Sequence, residues 1–314
     1  MIDVCICTHN PRKDVLLLVL DSLVKQNVSA GTFRVIIVDN NSHPRLEDSI
    51  LYPFKIAGIQ TRIIYEPIAG LQRARLRAVE ETSGDWILWV DDDNELSPDY
   101  IAQGSDFIRH YPKVGCFGGK LLLPDNLNPK SWVLPFLPYL GIKDAGNGLI
   151  IQNIDAWGDW EPAGAGSWVH RRVLNEYQRR ASDERRFFRL GRTGNSNLAS
   201  CDDSMLMRGA FRIGMVCAYV PQLKLNHHLS PNRFNFKYLM RLMLAYGTSH
   251  VVLESLLGGY KPMPYYYGNK IVFLKTLLWV FLNERKKSLA FAIGKVNYHI
   301  GARREHLLEE CNQG

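Results

Sequence analysis

Short apolar runs alternate with amphipathic segments along the N-terminal part of the chain. The runs rich in β-branched and aromatic residues lie at 2–8, 34–42, 61–65 and 86–90. Between the first two runs, leucines and valines recur at helical spacing over residues 11–25, and a second helical stretch begins at Gly70. Strands and helices that alternate in this way predict an α/β fold with a mostly parallel central sheet flanked by helices.

Polar residues follow three of these runs, at the point where each predicted strand ends. They are Thr8, His9 and Asn10 after the first run, Asp39, Asn40 and Asn41 after the second, and Asp91, Asp92, Asp93 and Asn94 after the fourth. In an open parallel sheet the ligand crevice lies beyond the carboxyl ends of the strands. We therefore expect these side chains to line one polar rim of a binding site.

The pattern changes after the fourth run. Residues 112–168 are rich in Gly, Pro, Trp and Asn and show weak periodicity, which predicts loops and short strands with few helices. Beyond Pro231 the chain is amphipathic, with candidate helices at 236–257 and 269–282. The second candidate is interrupted by Lys275 and is shorter than the roughly 20 apolar residues that a membrane span needs. It predicts either an interfacial helix on anionic lipid or a helix packed on the rest of the protein or on a second copy of the chain.

Composition excludes several classes of protein. The chain has 314 residues, of which 46% are hydrophobic and 22% charged, as in an ordinary globular protein. This balance excludes disorder, collagen and a long coiled coil. Its 6 cysteines are scattered, which favours reduced thiols. The opening MIDVCICTHN lacks the basic and apolar regions of a secretory signal, so we expect a cytoplasmic protein.

Charge is distributed unevenly between the two halves of the chain. Residues 1–150 carry 15 basic and 18 acidic residues, whereas residues 151–314 carry 23 and 13. Such a basic excess favours nucleic acid, an anionic membrane surface or a phosphorylated substrate as partner, or simply a soluble surface. The basic run at 171–192 fits either a solvated helix face or a surface for an anionic acceptor. Because the sequence has no zinc-ligand spacing, RRM or helix-turn-helix signature, we expect no nucleic-acid partner.

The three consecutive aspartates after the fourth run are a candidate metal site. Like charges this close repel each other unless a cation or water separates them. Asp91 and Asp93 share one side of an extended strand end, and their oxygens suit Mg²⁺ or Mn²⁺ together with a diphosphate. The alternative is a solvated turn or helix N-cap before Pro98.

Two further clusters carry candidate chemistry. Asp202 and Asp203 open a predicted helix, where they either favour the helix dipole or supply a general base. His227 and His228 follow a short apolar run and are either structural or ligands for Mn²⁺. The sequence leaves both choices open.

The order of these segments decides more than any one of them. A THN strand end, VDNNS, a basic helix, VDDDN, CDDSMLMR and HHLSPNR follow one another along the chain. Together they resemble the family 2 glycosyltransferases with the GT-A fold over roughly residues 1–235. The resemblance implies a catalytic domain at 1–235, with a nucleotide-binding half at 1–110 and an acceptor and sugar-binding half at 111–235. An amphipathic helical region follows at 236–314.

The resemblance also implies roles for individual residues in donor binding. The nucleotide-binding positions are Thr8, His9, Asn10, Asp39, Arg75, Asp91, Asp92 and Asp93. Among them, Asp39 matches the carboxylate that reads the base, and Arg75 matches the basic position near the base or diphosphate. Asp91 matches the acid that approaches the ribose and Asp93 the one that binds the metal. In an alternative register Asp92 takes the ribose.

Further matches concern the metal, the base and the sugar. Asp203 matches the catalytic base, and Asp202 stands where relatives have Glu, which leaves the choice between the two open. Asp93, Asp91 and His227 are the expected metal ligands, although Pro231 lies one place later than in the family's histidine segment. The segment of small residues before Trp168 matches the one under the donor sugar. It places Ala165 and Gly166 near that sugar, and Trp168 is expected to stack on a sugar ring.

The function implied is inverting transfer of a sugar from a nucleoside diphosphate sugar, most often a UDP-sugar, to a hydroxyl of a glycan or lipid-linked acceptor. The resemblance also implies a role in bacterial surface polysaccharide synthesis, Mn²⁺ or Mg²⁺ as cofactor, and a place in the cytoplasm or peripherally on the cytoplasmic face of the membrane. The C-terminal helices offer a homodimer contact. Two alternatives stay open: a nucleotidyltransferase that makes the donor, although CTHNPRKD has no glycine to cradle a triphosphate, and a non-catalytic basic protein that binds membranes or glycans.

Overall fold

The computed structural model describes residues 1–183, 185–193, 197–258 and 267–313, and the side chains of these except at 185 and 310–313. The predicted basic run at 171–192 and the predicted helical region at 236–314 each include residues outside this description.

The strands are β1 (Ile2–Thr8), β2 (Phe33–Asn40), β3 (Thr61–Glu66), β4 (Trp86–Asp91), β5 (Asn94–Leu96), β6 (Val114–Leu122), β7 (Ile150–Gln152), β8 (Ser167–His170) and β9 (Val216–His227). The α-helices are α1 (Lys13–Val24), α2 (Tyr52–Ile56), α3 (Leu71–Glu80), α4 (Tyr100–His110), α5 (Arg171–Asp183), α6 (Asp202–Met207), α7 (Gly209–Arg212), α8 (Phe236–Leu256), α9 (Lys270–Glu284) and α10 (Leu289–Gln313). Short 3₁₀ helices cover Ala30–Thr32, Asp48–Leu51, Ser131–Leu140, Arg185–Arg189 and Pro231–Phe234.

The first four strands form the parallel part of the sheet, in the order β3-β2-β1-β4. In this part Thr8 lies opposite Asp39, and Cys7 lies opposite Asp91. The carboxyl ends of β1, β2 and β4 therefore meet at one edge of the sheet. The four predicted strands are confirmed here, and the binding site expected at this edge stays a prediction.

The other half of the sheet is mixed. From β4 the order continues as β8-β6-β9-β5, and β7 also pairs with β9. Only β6 and β9 pair in parallel in this half, within the part of the chain that the structure describes. Parallel neighbours need long crossover connections, usually helices, and residues 112–168 lack the periodicity of such helices. The expectation of a mostly parallel sheet thus holds for the N-terminal half, and antiparallel pairs complete the rest.

Helix α1 shows how the core of the sheet is built. Its apolar residues recur every three or four positions, and Leu16, Val19, Leu20 and Leu23 are buried in one cluster with β1 and β2. This burial explains why the helix forms where its apolar periodicity predicts it.

The chain divides into two compact units. The first unit comprises residues 1–125, 141–183 and 203–228 and contains the whole sheet. The second comprises residues 126–140, 184–202 and 229–314. The predicted domain boundary at residue 235 stays a prediction.

Helices α8 and α10 form the centre of the second unit. A Cβ added at Gly247 of α8 would lie 1.9 Å from the carbonyl oxygen of Tyr298, and one at Gly301 of α10 would lie 2.1 Å from that of Leu244. The two backbones therefore approach closely enough to require glycine at both positions. None of the helices in the described ranges is long and apolar enough to cross a membrane.

Candidate active site

Asp39 organises the loop that follows β2. It is 1% exposed, its Oδ1 accepts the N–H of Ser42 at 3.0 Å, and its Oδ2 accepts that of Leu46 at 3.0 Å. The Ser42 hydroxyl in turn accepts the N–H of Asn10 at 2.9 Å, and the Asn10 side-chain oxygen accepts the N–H of His43 at 2.8 Å. These bonds tie the loops after β1 and β2 together. Both carboxylate oxygens of Asp39 bind backbone, and its base-reading role stays a prediction.

Asn40, the next residue, fixes the entry to α3. Its side-chain N–H donates to the carbonyl of Ile68 at 2.7 Å, and its side-chain oxygen accepts the N–H of Gly70 at 2.7 Å. His9 bonds through Nδ1 to the Asn40 carbonyl at 2.7 Å. Sequence reasoning placed Asn40 on the polar rim but gave it no role. Its position directly after Asp39 at the same strand end was the available signal.

The aspartate cluster forms the turn between β4 and β5. The Thr8 hydroxyl donates to Oδ2 of Asp92, which links the ends of β1 and β4. Asn94 closes the turn, because its side-chain oxygen accepts the N–H of Asp91 at 3.1 Å and its side-chain nitrogen donates to Asp93 Oδ1 at 3.3 Å. The structure therefore places Thr8 and the three aspartates 91–93, all predicted donor-binding residues, at one end of the sheet.

Asp93 and His227 are neighbours across an antiparallel strand pair. In the β5–β9 register Asn94 lies opposite His227, and Nε2 of His227 is 3.3 Å from Oδ1 of Asp93. His228 instead binds Glu95, with 2.8 Å between Nε2 and Oε2. Of the two histidines left open by the sequence, His227 is thus the one whose ring lies beside the Asp93 carboxylate.

The ring of His227 has an unused nitrogen. Nδ1 of His227 is buried and has no hydrogen-bond partner among the described atoms. Within the described ranges, no three His, Cys, Asp or Glu side chains form a group that could hold a metal ion. Asp91 therefore does not join Asp93 and His227 in a cage built from protein alone.

A small-residue loop brings a cation and an acid together. Oδ2 of Asp203 accepts the N–H of Gly164 at 3.2 Å, and its Oδ1 accepts the N–H of Ser204 at 2.9 Å. A Cβ at Gly164 would lie 2.7 Å from Nη2 of Arg75 and 3.1 Å from Cβ of Asp203. Arg75, from α3, and Asp203, from α6, thus flank the same glycine.

Sheet register places this loop at the end of β4. Trp89 of β4 lies opposite Ser167 of β8 in an antiparallel pair. Residues 164–166 precede β8, so they run past the end of β4, where Asp91 stands. The guanidinium of Arg75 lies 5.8 Å from the ring centroid of Trp89, in agreement with this placement.

The acid pair divides into a buried and a more accessible member. Asp202 begins α6 and is 6% exposed, whereas Asp203 is half-buried. A general base must reach a substrate proton directly or through one water. The geometry therefore favours Asp203 over Asp202 for that role, which stays a prediction.

Sequence reasoning missed Glu161. This buried carboxylate accepts the Ser204 hydroxyl and, at 3.2 Å, Nε of Arg208, which is 2% exposed. Lys143 donates to the carbonyl of Glu161 at 2.6 Å. Burial raises the pKa of the Glu161 carboxyl, while Arg208 and Ser204 act to lower it. Its place three residues before Gly164 was the only signal.

Trp168 does not face the cleft. Its side chain is fully buried and stacks on Phe117, with centroids 5.5 Å apart and planes at 8°. A Cβ at Gly104 of α4 would lie 2.2 Å from its ring. This corrects the expectation that Trp168 stacks on a sugar, because the ring fills the space between sheet and helix. Ala165 and Gly166 precede it, and the Gly166 carbonyl accepts the Tyr100 hydroxyl at 2.5 Å.

Comparison with known proteins decides the family. Residues 3–178 match the sequence model described as Glycosyl transferase family 2, which is more than half of the chain. The chain belongs to glycosyl transferase family 2. The expected family is confirmed.

A curated relative within this group is the glucosyl-dolichyl phosphate glucuronosyltransferase of Haloferax volcanii. It is 24% identical over 230 residues, which cover 70% of this chain and 65% of that protein. The match thus spans slightly less than two thirds of the relative's length.

Solved structures of similar fold confirm the GT-A fold. TarS 1-349 of S. aureus is 14% identical, with a TM-score of 0.51 over 100% of this chain and 91% of that one. The mannosyltransferase PcManGT of Pyrobaculum calidifontis, solved in complex with GDP-Man and Mn²⁺, is 14% identical, with a TM-score of 0.54 over 98% and 87%. At this identity the likeness concerns the fold alone.

Proposed function

We propose that this glycosyltransferase transfers a sugar from a nucleoside diphosphate sugar to an acceptor hydroxyl with inversion, using Asp203 as the base. The observation that carries the proposal is the meeting of Arg75 and Asp203 at Gly164, beside the carboxyl end of β4. The guanidinium of Arg75 carries the charge needed to bind the donor diphosphate, and the carboxylate of Asp203 can take the proton of the acceptor hydroxyl. Family membership favours transfer over the nucleotidyltransferase and the non-catalytic protein that the sequence left open.

The donor binds at the sheet edge where β1, β2 and β4 end. We assign its nucleotide to Thr8, His9, Asn10 and Asp39, whose loops are joined by the hydrogen bonds around Ser42. Asp91 and Asp92 approach the ribose, and Ala165 and Gly166 lie near the sugar. A UDP-sugar is the donor we expect, although PcManGT was solved with GDP-Man.

Asp93 and His227 suit a divalent cation. Two neighbouring ligands of an octahedral ion, each about 2.1 Å from the metal, lie about 3 Å apart, close to the 3.3 Å between Oδ1 of Asp93 and Nε2 of His227. These two side chains would hold the ion, and diphosphate oxygens of the donor would supply further ligands. PcManGT was solved with Mn²⁺. When bound, such an ion neutralises charge on the leaving diphosphate.

The proton and bond changes follow from the position of Asp203. Its carboxylate, oriented by the N–H groups of Gly164 and Ser204, takes the proton of the acceptor hydroxyl. The acceptor oxygen then forms a bond to the anomeric carbon, while the bond from that carbon to the diphosphate breaks and the diphosphate leaves with the electron pair. Arg75 is held beside the loop to meet the leaving group. A single displacement of this kind inverts the anomeric configuration.

The acceptor we expect is a glycan or lipid-linked saccharide of bacterial surface polysaccharide synthesis, made in the cytoplasm or at the cytoplasmic face of the membrane. The basic second half of the chain, with 23 basic and 13 acidic residues over 151–314, supports an anionic acceptor. The glucuronosyltransferase relative carries a glucosyl-dolichyl phosphate in its name.

A binding and transfer assay tests the proposal. We expect one nucleoside diphosphate to stabilise the protein with Mn²⁺ or Mg²⁺, by about 2.7 kcal/mol at about 100 times its Kd. We expect Asp203→Asn to retain this stabilisation and to lose about 10²- to 10⁴-fold in kcat, the usual contribution of a general base. Asp202→Asn is the matched control and should lose less. Equal losses in the two variants, or a product of retained configuration, would refute the assignment of Asp203.

A further inference from the structure

Helix α9 exposes an apolar face. Ile271, Leu274, Leu278 and Trp279 are each between 60% and 67% exposed, and Leu282 extends the same face by one turn. Ile271, Leu274 and Leu278 lie three, four and seven residues from one another, and Trp279 lies three residues before Leu282, which puts all five on one side of the helix.

The opposite side anchors the helix in the second unit. Phe273 and Val280 are buried there, and Phe273 clusters with Tyr267 and with Val251 of α8. The helix is thus packed through one face only. Single exposed apolar residues are ordinary on a protein surface, but a contiguous patch of this kind marks an interaction site.

Basic residues lie within this face, at Lys275, and around it. The exposed cations are Lys270, Lys275, Arg285, Lys286 and Lys287. The one acid from residue 270 to residue 289 is Glu284, which pairs with Lys287 at 2.9 Å. The surface therefore combines apolar side chains with positive charge.

We propose that the α9 face, defined as Ile271, Leu274, Leu278, Trp279 and Leu282 with its surrounding cations, binds the surface of an anionic lipid bilayer. An amphipathic helix with large apolar residues on one side and lysines beside them lies in the plane of the membrane interface. Trp279 is of the type enriched at that depth, and Lys275 reaches past its neighbours to the headgroups. The helix is not long and apolar enough to cross the bilayer.

Charge favours lipid over a second copy of the chain. A two-fold interface brings the same patch of both copies together, so Lys275 and Lys286 would face a second set of cations. An anionic bilayer offers the opposite charge, worth about 1 kcal/mol per basic residue near the surface. The inference deepens the proposed function, because a lipid-linked acceptor lies at such a surface.

Flotation of the full-length protein tests this proposal without any transfer reaction. Vesicles of phosphatidylcholine alone are compared with vesicles containing about 30% phosphatidylglycerol, at low and high salt. We expect binding only to the anionic vesicles and weaker binding at high salt, because salt screens the attraction. Vesicles with brominated acyl chains should quench Trp fluorescence in the wild type and much less in Trp279→Phe.

The decisive variant is Leu274→Glu/Leu278→Glu, with Tyr52→Glu/Ile56→Glu as its control. Both control residues are exposed apolar residues of α2, at 65% and 72%, so the two variants add the same charge. We expect at least a roughly tenfold loss of vesicle binding in the α9 variant alone. Stabilisation by donor nucleotide should be unchanged in both, which shows that they fold.

Three results would overturn the proposal. They are no binding of the wild type to anionic vesicles, equal losses in the α9 variant and its control, and a dimer in solution that the α9 substitutions dissociate while vesicle binding is absent. Failure of the transfer assay with flotation intact would refute the proposed function and leave the lipid surface standing.

Discussion

The N–H of Gly164 donates to Oδ2 of Asp203 at 3.2 Å, so a backbone group of the small-residue loop orients the carboxylate assigned as base. A side chain at this glycine has no room, since its Cβ would lie 2.7 Å from Nη2 of Arg75 and 3.1 Å from Cβ of Asp203. Both charged groups of the proposed mechanism would have to move.

We therefore expect Gly164→Ala to lower kcat about 100-fold, the effect of a displacement near 1 Å in a catalytic group. We also expect a loss of stability of about 1–3 kcal/mol, because Gly164 is buried and the added Cβ overpacks its contacts with Arg75 and Asp203, so kcat is measured well below the melting temperature. Gly148→Ala is the control, since a Cβ there meets nothing within 4 Å. Activity of Gly164→Ala within a few-fold of the wild type would show that the loop does not position Asp203.

The metal-dependent stabilisation by nucleoside diphosphate should require Asp93 and His227 but not His228. In Asp93→Asn and His227→Gln, we expect the Mn²⁺-dependent part of the stabilisation by nucleoside diphosphate to disappear, because the first removes the negative charge and the second the imidazole nitrogen of the 3.3 Å pair. His228→Gln, whose ring binds Glu95 instead, should keep it. Thermal unfolding with and without EDTA measures this. If His228→Gln lost the Mn²⁺-dependent stabilisation and His227→Gln kept it, His228 and not His227 would be the metal ligand.

Glu161 and Arg208 should be strongly coupled in stability. Both are buried, and removing one partner of such a pair takes away the nearest opposite charge of the other, at a cost of up to about 3–5 kcal/mol. We expect Glu161→Gln/Arg208→Met to cost clearly less than the sum of its single variants. Urea unfolding of the four proteins gives the coupling free energy.

An exposed pair provides the reference for this cycle. Arg109 and Asp106 lie 2.7 Å apart with side chains 70% and 56% exposed, and such pairs couple by about 0–1 kcal/mol. Similar coupling in the two cycles would mean that Glu161 and Arg208 do not act as a buried pair.

Stability should fall in mild acid because of His299 in α10. Burial, together with Lys295, lowers its pKa to about 4, from about 6.5 for an ordinary histidine. Between these values the unfolded chain binds a proton that the native protein does not, so the free energy of unfolding decreases as the pH falls from 6.5 to 4. Nδ1 of His299 also pairs with the Tyr267 hydroxyl at 2.9 Å.

His299→Gln should be less stable at neutral pH, because it loses the hydrogen bond between the imidazole and Tyr267. It should also lose less stability on acidification, because glutamine takes up no proton in this pH range. Urea unfolding at several pH values between 4 and 7 measures both slopes. Parallel curves for the two proteins would mean that His299 titrates alike in the folded and unfolded states.

The N-terminal half of the site was predictable because local pattern and sheet edge coincide there. Apolar runs mark β1, β2 and β4, and the residues that follow them, such as Thr8 and Asp93, meet because parallel strands end together. The contact between Asp93 and His227 could not be predicted from local pattern, because it depends on the antiparallel register of β5 with β9, which are more than a hundred residues apart in the chain.

The role of Trp168 could not be predicted for a related reason. Alternation along β8 gives two faces to the strand but does not say which one meets α4, and Gly104 of that helix is what makes room for the ring. Glu161 was missed because its partners lie some forty residues later, Ser204 in α6 and Arg208 directly after that helix. Neither contact produces a periodic pattern of residues from which it could be predicted.

The glycines at 247 and 301 bring the backbones of α8 and α10 into direct contact, and this has a consequence for how the second unit opens. Helices that share so close a boundary cannot separate by small rotations of side chains, so their amide protons should become accessible to solvent in one concerted event. In hydrogen exchange, the middle turns of the two helices should then show a common opening free energy, and a bulkier residue at either glycine should lower it for both.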